Sequence, residues 1–449
     1  MENSIINKKF LFVYIAIEGG YVGYHHGIAS LVPVIRRHSY DVSVLTLDSE
    51  ISSEEFRKHI EQVNPSIVGF SCTLPQYKFL KKYSSAIEDL ADIIQIAGGV
   101  LPTLEPQNVL ETTSLNGVVV GEGEKPIDNL LDQINKGEDI YNIKGIYWNI
   151  NGKIKKNSIP QFISDLSEKD FPDPTVFDDP LVCTPRGELK IMLSRGCPYE
   201  CHYCSNYALK RVYPSTKGYL RIPSVEYSIK LIKKMLQYYP QVINIIFEDD
   251  LLIADKKWFK AFAEEYQKEI NVPYRLMVRP EAISTEIAKL LKDSGCYFTQ
   301  IGLESGSESL RGNLLNRKYS NKLFIEKCKI LKDNDLLINT FNIVGWPFET
   351  KAEMQETLEL NRIIESDMGV CTFFYPFKGT ELYNICTREN LLKSEEEMEC
   401  SYHIGPNIKL INVTKEECVE MQRKIMCFLT GGTNLKNLNL SYSHVFNRQ

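Results

Sequence analysis

In the segment SRGCPYECHYCSN, residues 194–206, three thiols stand within eight positions: Cys197, Cys201 and Cys204. On a Gly-Cys-Pro turn, gaps of three and then two residues let the sulfurs converge on one small object without help from distant sequence. Clustered thiolates are soft donors, which points to zinc, copper or an iron–sulfur cluster. A structural zinc needs a fourth ligand to close its tetrahedron. His202, wedged between two of the cysteines, supplies one only by turning inward. The loop also follows the apolar run ELKIMLSRG, which reads as a strand, and a site on the rim of a strand barrel is expected to stay open to substrate.

The elements that must position this loop are legible as two series. Six runs, ELKIMLSRG, QVINIIFEDD, YRLMVRP, YFTQIGLESG, LINTFNIVGWP and GVCTFFYPF, alternate with helical patterns such as 225–239, 256–270 and 321–334. Six βα units predict a partial or complete barrel of parallel strands, with its site at the strands' carboxyl rim. Ahead of them, FLFVYIAI, DVSVLTL, SIVGFSC, DIIQIAGG and NGVVVGEGE predict a parallel sheet covered on both faces. Ligands of such sheets sit outside the carboxyl ends of the strands, where the glycine-bearing loops EGGYVGYHHG, AGGVLPTLEP and GEGEKP fall. Asn151-Gly152 predicts a type I′ hairpin turn, and the proline-bearing stretch ISDLSEKDFPDPTVFDDP an extended connector. The expected fold is α/β: a parallel-sheet domain over residues 1–140, hairpin and linker over 141–185, the barrel over 186–385, and a short, mainly helical region over 386–449.

A chain of 449 residues outgrows a single hydrophobic core. Its formal net charge of -6 argues against a general binder of phosphate backbones, so no nucleic-acid partner is expected. The longest early apolar run, 10–17, is too short to span a bilayer and carries no cleavage signal. No membrane association and a cytoplasmic location are expected, under which the twelve cysteines read as reduced thiols plus a metal site rather than a disulfide framework. The nine outside the loop are expected to pack in cores. Cys371, Cys386 and Cys400 are spaced too widely to argue for a second cluster.

The segment CPYECHYC resembles the CxxxCxxC signature of radical S-adenosylmethionine enzymes, including an aromatic, Tyr203, before the last cysteine. The resemblance implies a four-iron, four-sulfur cluster held by Cys197, Cys201 and Cys204. Its fourth iron chelates S-adenosylmethionine, which explains the missing fourth ligand. One electron then cleaves the sulfonium to a 5′-deoxyadenosyl radical, chemistry beyond unaided side chains. Further family features recur at later strand ends. FEDD, with Glu248, Asp249 and Asp250, matches the segment holding the methionine amino end. Arg279 in VRP offers a planar fork to a carboxylate. GLESGS, with Glu304 and Ser305 between Gly302 and Gly306, resembles the ribose-contacting segment, and NIVGWPFET an element near the adenine.

With the front domain included, the chain resembles cobalamin-dependent members of this family over roughly residues 10–385. SCTLPQ, AGGVLPTLEPQ and VVVGEGEKPIDNLL match the loops of a Rossmann-like cobalamin domain, and DLSEKDFPDP its linker. Gly98, Gly99, Gly121 and Gly123 would let main chain approach the corrin, while Ser71, Thr73 and Thr103 offer small hydroxyls. Two departures stand out: the Asp-x-His-x-x-Gly pattern for a lower axial histidine is absent, and Leu101 stands where relatives frequently carry His. His25 and His26 are read as helix-entry residues, since no acid is placed to orient either ring.

The implied activity is methylation of an unactivated centre on a small-molecule or peptide substrate, with an electron donor such as flavodoxin or ferredoxin. The same architecture also supports radical cyclisation or rearrangement. A noncatalytic cobalamin or metal sensor is a further reading, and methylthiolation of transfer RNA is disfavoured because no basic RNA module is visible. Tyr375, Phe377 and Asn342 are candidates for the substrate pocket.

Overall fold

The computed structural model describes residues 7–17, 23–178, 182, 187–394, 397–399 and 401–431. Its first sheet is built on β1 (Lys9–Ile15), an apolar run buried on both faces, as a central parallel strand requires. β2 (Asp41–Leu47) pairs on one side of it; β3 (Ile67–Ser71), β4 (Ile94–Gly98) and β5 (Gly117–Val119) follow in order on the other, all parallel. The order therefore reverses between β1 and β3, and the strands' carboxyl ends open a crevice there. The expected hairpin is β6 (Ile146–Ile150) with β7 (Lys153–Lys155), turned by Asn151 and Gly152 at φ +51° and +80°. Instead of standing between the domains, it pairs antiparallel with β5 and extends the front sheet.

The second sheet holds β8 (Glu188–Ile191), β9 (Asn244–Phe247), β10 (Tyr274–Val278), β11 (Cys296–Glu304), β12 (Leu337–Val344) and β13 (Met368–Phe373), all parallel and in sequence order. It is the curled half-barrel that the six runs predict. The helix Lys415–Leu429, opened by a Thr414/Glu417 capping box, covers its last strand: Met421, Ile425, Met426 and Leu429 pack with Val344, Cys371 and Phe373.

The connector runs back along the helix His26–Arg37. There Asp173 donates its N–H to the Ala29 carbonyl at 2.8 Å, Arg37 meets Asp170 at 2.9 Å, and Phe177 sets its edge to Tyr24 at 5.7 Å. One hydrophobic cluster consequently runs from Phe12 and Ile28 through Tyr24 and Phe177 into Leu189, Ile229 and Phe247. Outside the loop, Cys72, Cys296, Cys328, Cys371, Cys386 and Cys418 are buried as expected, whereas Cys427 is exposed; Cys183 and Cys400 lie outside the described residues. Among the described residues, no helix is long and apolar enough to cross a membrane.

Candidate active site

The cysteine loop leaves β8 under the control of Asp249. Its buried carboxylate accepts the N–H of Leu193 at 3.1 Å and both the N–H and hydroxyl of Ser194, tying the end of β8 to the end of β9. Burial still pushes that carboxyl up to about 6 against these bonds. Gly196, at φ +87°, then turns the chain; a Cβ there would stand 2.5 Å from the Tyr219 carbonyl oxygen. Beyond it Cys201 is buried, and Cys197 and Cys204 are half-buried.

The three sulfurs lie in one another's electrostatic field. Burial pushes the Cys197 thiol up to about 11 and that of Cys204 to about 12, so metal binding must displace protons. Cys201 Sγ accepts an N–H of Arg279 at 3.1 Å, and that guanidinium lies 3.6 Å over the Tyr199 ring with Glu281 bracing it at 2.8 Å. Among the described residues, no three His, Cys, Asp or Glu side chains group tightly enough to hold a single ion. Three thiols on one short loop, with no fourth within it, are the donor set of a cluster held by thiolates. His202 does not complete a tetrahedron: its ring bonds the Leu314 carbonyl at 2.9 Å through Nδ1.

The later strand ends gather on this loop. Tyr203 is set edge-on to Trp346 of the GWP turn at 5.2 Å, and its hydroxyl accepts from Arg317 at 3.2 Å. The same guanidinium lies 3.4 Å from Glu304 and donates to the Gly302 carbonyl. Glu304 itself holds φ +66° at a register shift between β11 and β12. Ser305 is fully buried, with its hydroxyl accepting the Ser307 N–H at 3.3 Å inside its own turn.

The three acids of FEDD take separate tasks. Glu248 meets Lys190 at 2.7 Å and lies 3.5 Å from His26 of the front domain; burial would raise it, but these neighbours hold it down to about 2. Asp249 pins the loop. Asp250 alone lines the cavity, where its charge reaches Cys197 and Cys204.

That cavity, about 370 Å³, lies between the carboxyl ends of both sheets. Ser71, Gly98, Gly99, Thr103, Gly121 and Gly123 line it from the front, Ser194, Arg195, Gly196 and Asp250 from the barrel, and it runs inward along Phe12, Gly69, Ile96 and Val119. Gly99 and Gly121 sit at φ +111° and +87°, and a Cβ on Gly121 would come within 3.0 Å of the Tyr213 hydroxyl. Glycines at these positions bring main chain rather than side chains to the cavity wall, as a ligand approached by backbone requires. Two of the expected hydroxyls are engaged within it: Thr103 accepts the Gly121 N–H at 3.1 Å, and Ser71 bonds His25 at 3.1 Å. Thr73 is bonded to Gln76 and does not line the cavity.

His25 is the N-cap of the helix His26–Arg37. Its Nδ1 accepts the Ile28 N–H at 3.1 Å, so Nε2 carries the proton and donates to Ser71. Burial pulls the ring down to about 4, and with both nitrogens committed it is no axial ligand. Asn342 belongs to a buried amide network, accepting from Asn361 at 2.8 Å. Neither it nor Tyr375 nor Phe377 reaches this cavity.

Sequence reasoning missed Glu122, Glu124, Arg195, Arg221 and Arg317. For the two glutamates the signal was present: they alternate with glycines already singled out.

Residues 191–360 match the Radical SAM superfamily, and residues 13–131 match the B12 binding domain. The uncharacterized methyltransferase PH0819 of Pyrococcus horikoshii is 24% identical over 89% of this chain and 86% of its own. The anaerobic magnesium-protoporphyrin IX monomethyl ester cyclase of Rubrivivax gelatinosus is 24% identical over 76% of this chain and 62% of its own. In fold, the chain is similar to the radical S-adenosylmethionine methyltransferase TsrM of Kitasatospora setae, solved with cobalamin and a [4Fe-4S] cluster bound: TM-score 0.67, 14% identity, 96% of this chain and 90% of that one. Two matched domains, joined by a cavity that touches the thiol loop and the glycine cradle together, place the chain in the radical S-adenosylmethionine enzymes that carry a B12-binding domain, whose cofactors are a 4Fe-4S cluster, S-adenosylmethionine and cobalamin.

Proposed function

We propose that the chain is a cobalamin-dependent radical S-adenosylmethionine methyltransferase acting on an unactivated centre of a small-molecule or peptide substrate. The observation that supports this reading is the shared cavity, lined on one side by Ser194, Arg195 and Gly196, which lead into Cys197, and on the other by the glycine loops of the front sheet. When bound, the cluster with S-adenosylmethionine supplies a hydrogen-abstracting radical and the corrin supplies a transferable methyl group.

The protein's own part is to hold, orient and enclose. Cys197, Cys201 and Cys204 are the cluster ligands, with Arg279 orienting Cys201 through its sulfur bond. Asp250 faces the amino end of S-adenosylmethionine, while Asp249 and Glu248 support it from behind. Glu304, held by Arg317, would hold the ribose, and Tyr203 packed on Trp346 would steady the cysteine loop against the GWP turn. Gly98, Gly99, Gly121 and Gly123 would carry the corrin edge, Ser71 and Thr103 would shape its cradle with Thr73 holding the turn beside it, and Ser305 would hold the turn on the ribose side. Burial between two sheets keeps water from the reacting centre. An electron donor such as flavodoxin or ferredoxin and a cytoplasmic location complete the proposal.

Radical cyclisation or rearrangement is the second reading, favoured by the likeness to a protein named as a cyclase. Product mass separates the two, since methylation adds one CH2 unit. The test is anaerobic purification with cobalamin supplied, quantification of iron, sulfide and corrin, and reduction in the presence of S-adenosylmethionine. Cys201→Ala is expected to abolish 5′-deoxyadenosine formation while corrin stays bound; a wild-type protein that holds corrin and metal yet never cleaves S-adenosylmethionine would be a sensor.

A further inference from the structure

The GEGE loop contains two carboxylates that none of the roles above uses. Glu122 and Glu124 both turn from the front domain toward the barrel. Glu122 meets Arg221 at 2.7 Å and Arg195 at 3.3 Å; Glu124 meets Arg195 at 2.6 Å and also Lys169 of the connector. None of these five side chains is more than 23% exposed, so solvent screens them little. Burial alone would raise Glu124, yet Arg195 and Lys169 hold it down to about 2.

The two arginines share one stiff base. Arg195 and Arg221 each donate a backbone N–H to the other's carbonyl at 2.9 Å, an isolated antiparallel bridge. The connector locks in as well: Ile163 donates its N–H to Glu122 at 3.2 Å and accepts from Arg221 at 2.8 Å. Tyr213 accepts the Glu122 N–H at 3.0 Å. Arg195 stands two residues before Cys197, and Glu122 between Gly121 and Gly123 of the cradle.

A buried ion network adds little stability over apolar packing, but its forked, directional bonds define a register that apolar surfaces, free to slide, do not. We propose that Glu122 and Glu124 are positioning residues which, through Arg221 and Arg195, fix the glycine cradle at a set distance and orientation from the cysteine loop. Within one short loop the glycines approach the ligand and the glutamates set where that ligand stands relative to the thiols. This rests on the corrin-and-cluster reading for its purpose, not for its geometry.

The test uses the full chain with Glu122→Gln, Glu124→Gln and the double variant. Two readouts apply: the magnetic dipolar interaction between the paramagnetic cobalt of reduced corrin and the reduced cluster, and hydrogen exchange of the 121–123 and 195–197 amides in cofactor-free protein. Iron and corrin contents at wild-type level, a broadened cobalt–cluster distance distribution and exchange faster by about tenfold or more at both segments are expected. An unchanged distance distribution in the double variant overturns the proposal. So does loss of corrin from Glu122→Gln, which would make that residue a ligand contact. If the wild type takes up no corrin or iron, the cofactor reading fails while amide exchange still decides the clasp; if the double variant does not fold, Glu122→Gln alone carries both readouts.

Discussion

Glu349 stands behind the GWP turn. One carboxyl oxygen accepts the N–H of Gly345 at 2.6 Å and of Trp346 at 3.2 Å, and the other is buried with no hydrogen-bond partner among the described residues. Burial pushes the group up to about 8 in spite of those two bonds. An unfolded glutamate titrates near ~4.3, so between these values the folded chain keeps a proton that the unfolded chain releases. The contribution to stability is complete below the lower value and is lost as pH rises through the upper one. Glu349→Gln retains an acceptor for both N–H groups without titrating. Unfolding free energies measured with urea from pH 5 to 9 are expected to fall more steeply for the wild type than for the variant, by an amount on the order of a few kcal/mol across the window. Parallel curves would show that the carboxyl does not carry the proton. At this scale the sequence was legible wherever chemistry depends on residue type and spacing, as for the three thiols. It was not legible where direction decides. In FEDD, only the turn after β9 determines that Asp249 faces the chain and Asp250 the cavity, and Arg317 has no periodic pattern to mark it.

Among elements, each of the eleven apolar runs read as a strand contributes one, because β1–β5 and β8–β13 pair in parallel under covering helices, so these strands announce themselves as apolar, β-branched runs. The Asn-Gly turn was equally plain. What no local signal could reveal was partnership: that the hairpin would extend the front sheet, or that the helix Lys415–Leu429 would close the last strand of the barrel. The helix has two separable supports. Its capping box is exposed at Thr414, so Thr414→Ala is expected to cost about 1 kcal/mol. Ile425 is fully buried against β13, and Ile425→Ala is expected to cost about 2–5 kcal/mol. Urea unfolding of the two variants distinguishes them, and a cap variant as damaging as the core variant would mean that the helix depends on its first turn rather than on the strand it covers.

At the level of the whole molecule, the two matched domains share one core. The hydrophobic cluster crosses from Ile28 and Tyr24 to Phe177 and Ile229 without interruption, the connector is bonded along the helix His26–Arg37, and the Glu122–Arg221 clasp ties the facing loops. Length pointed to more than one domain, and one hydrophobic cluster runs through both matched segments. A consequence can be measured. Asn151 and Gly152 are exposed, and a Cβ on Gly152 would meet nothing within 4 Å, so a protease site inserted at this turn has room. Cleavage there cuts the chain between β6 and β7 while leaving the shared core, the connector contacts and the clasp in place. The nicked protein is expected to elute as one species at the size of the intact chain, and to separate only in denaturant. Separation in ordinary buffer would mean that the covalent link, rather than the buried interface, holds the glycine cradle over the thiol loop.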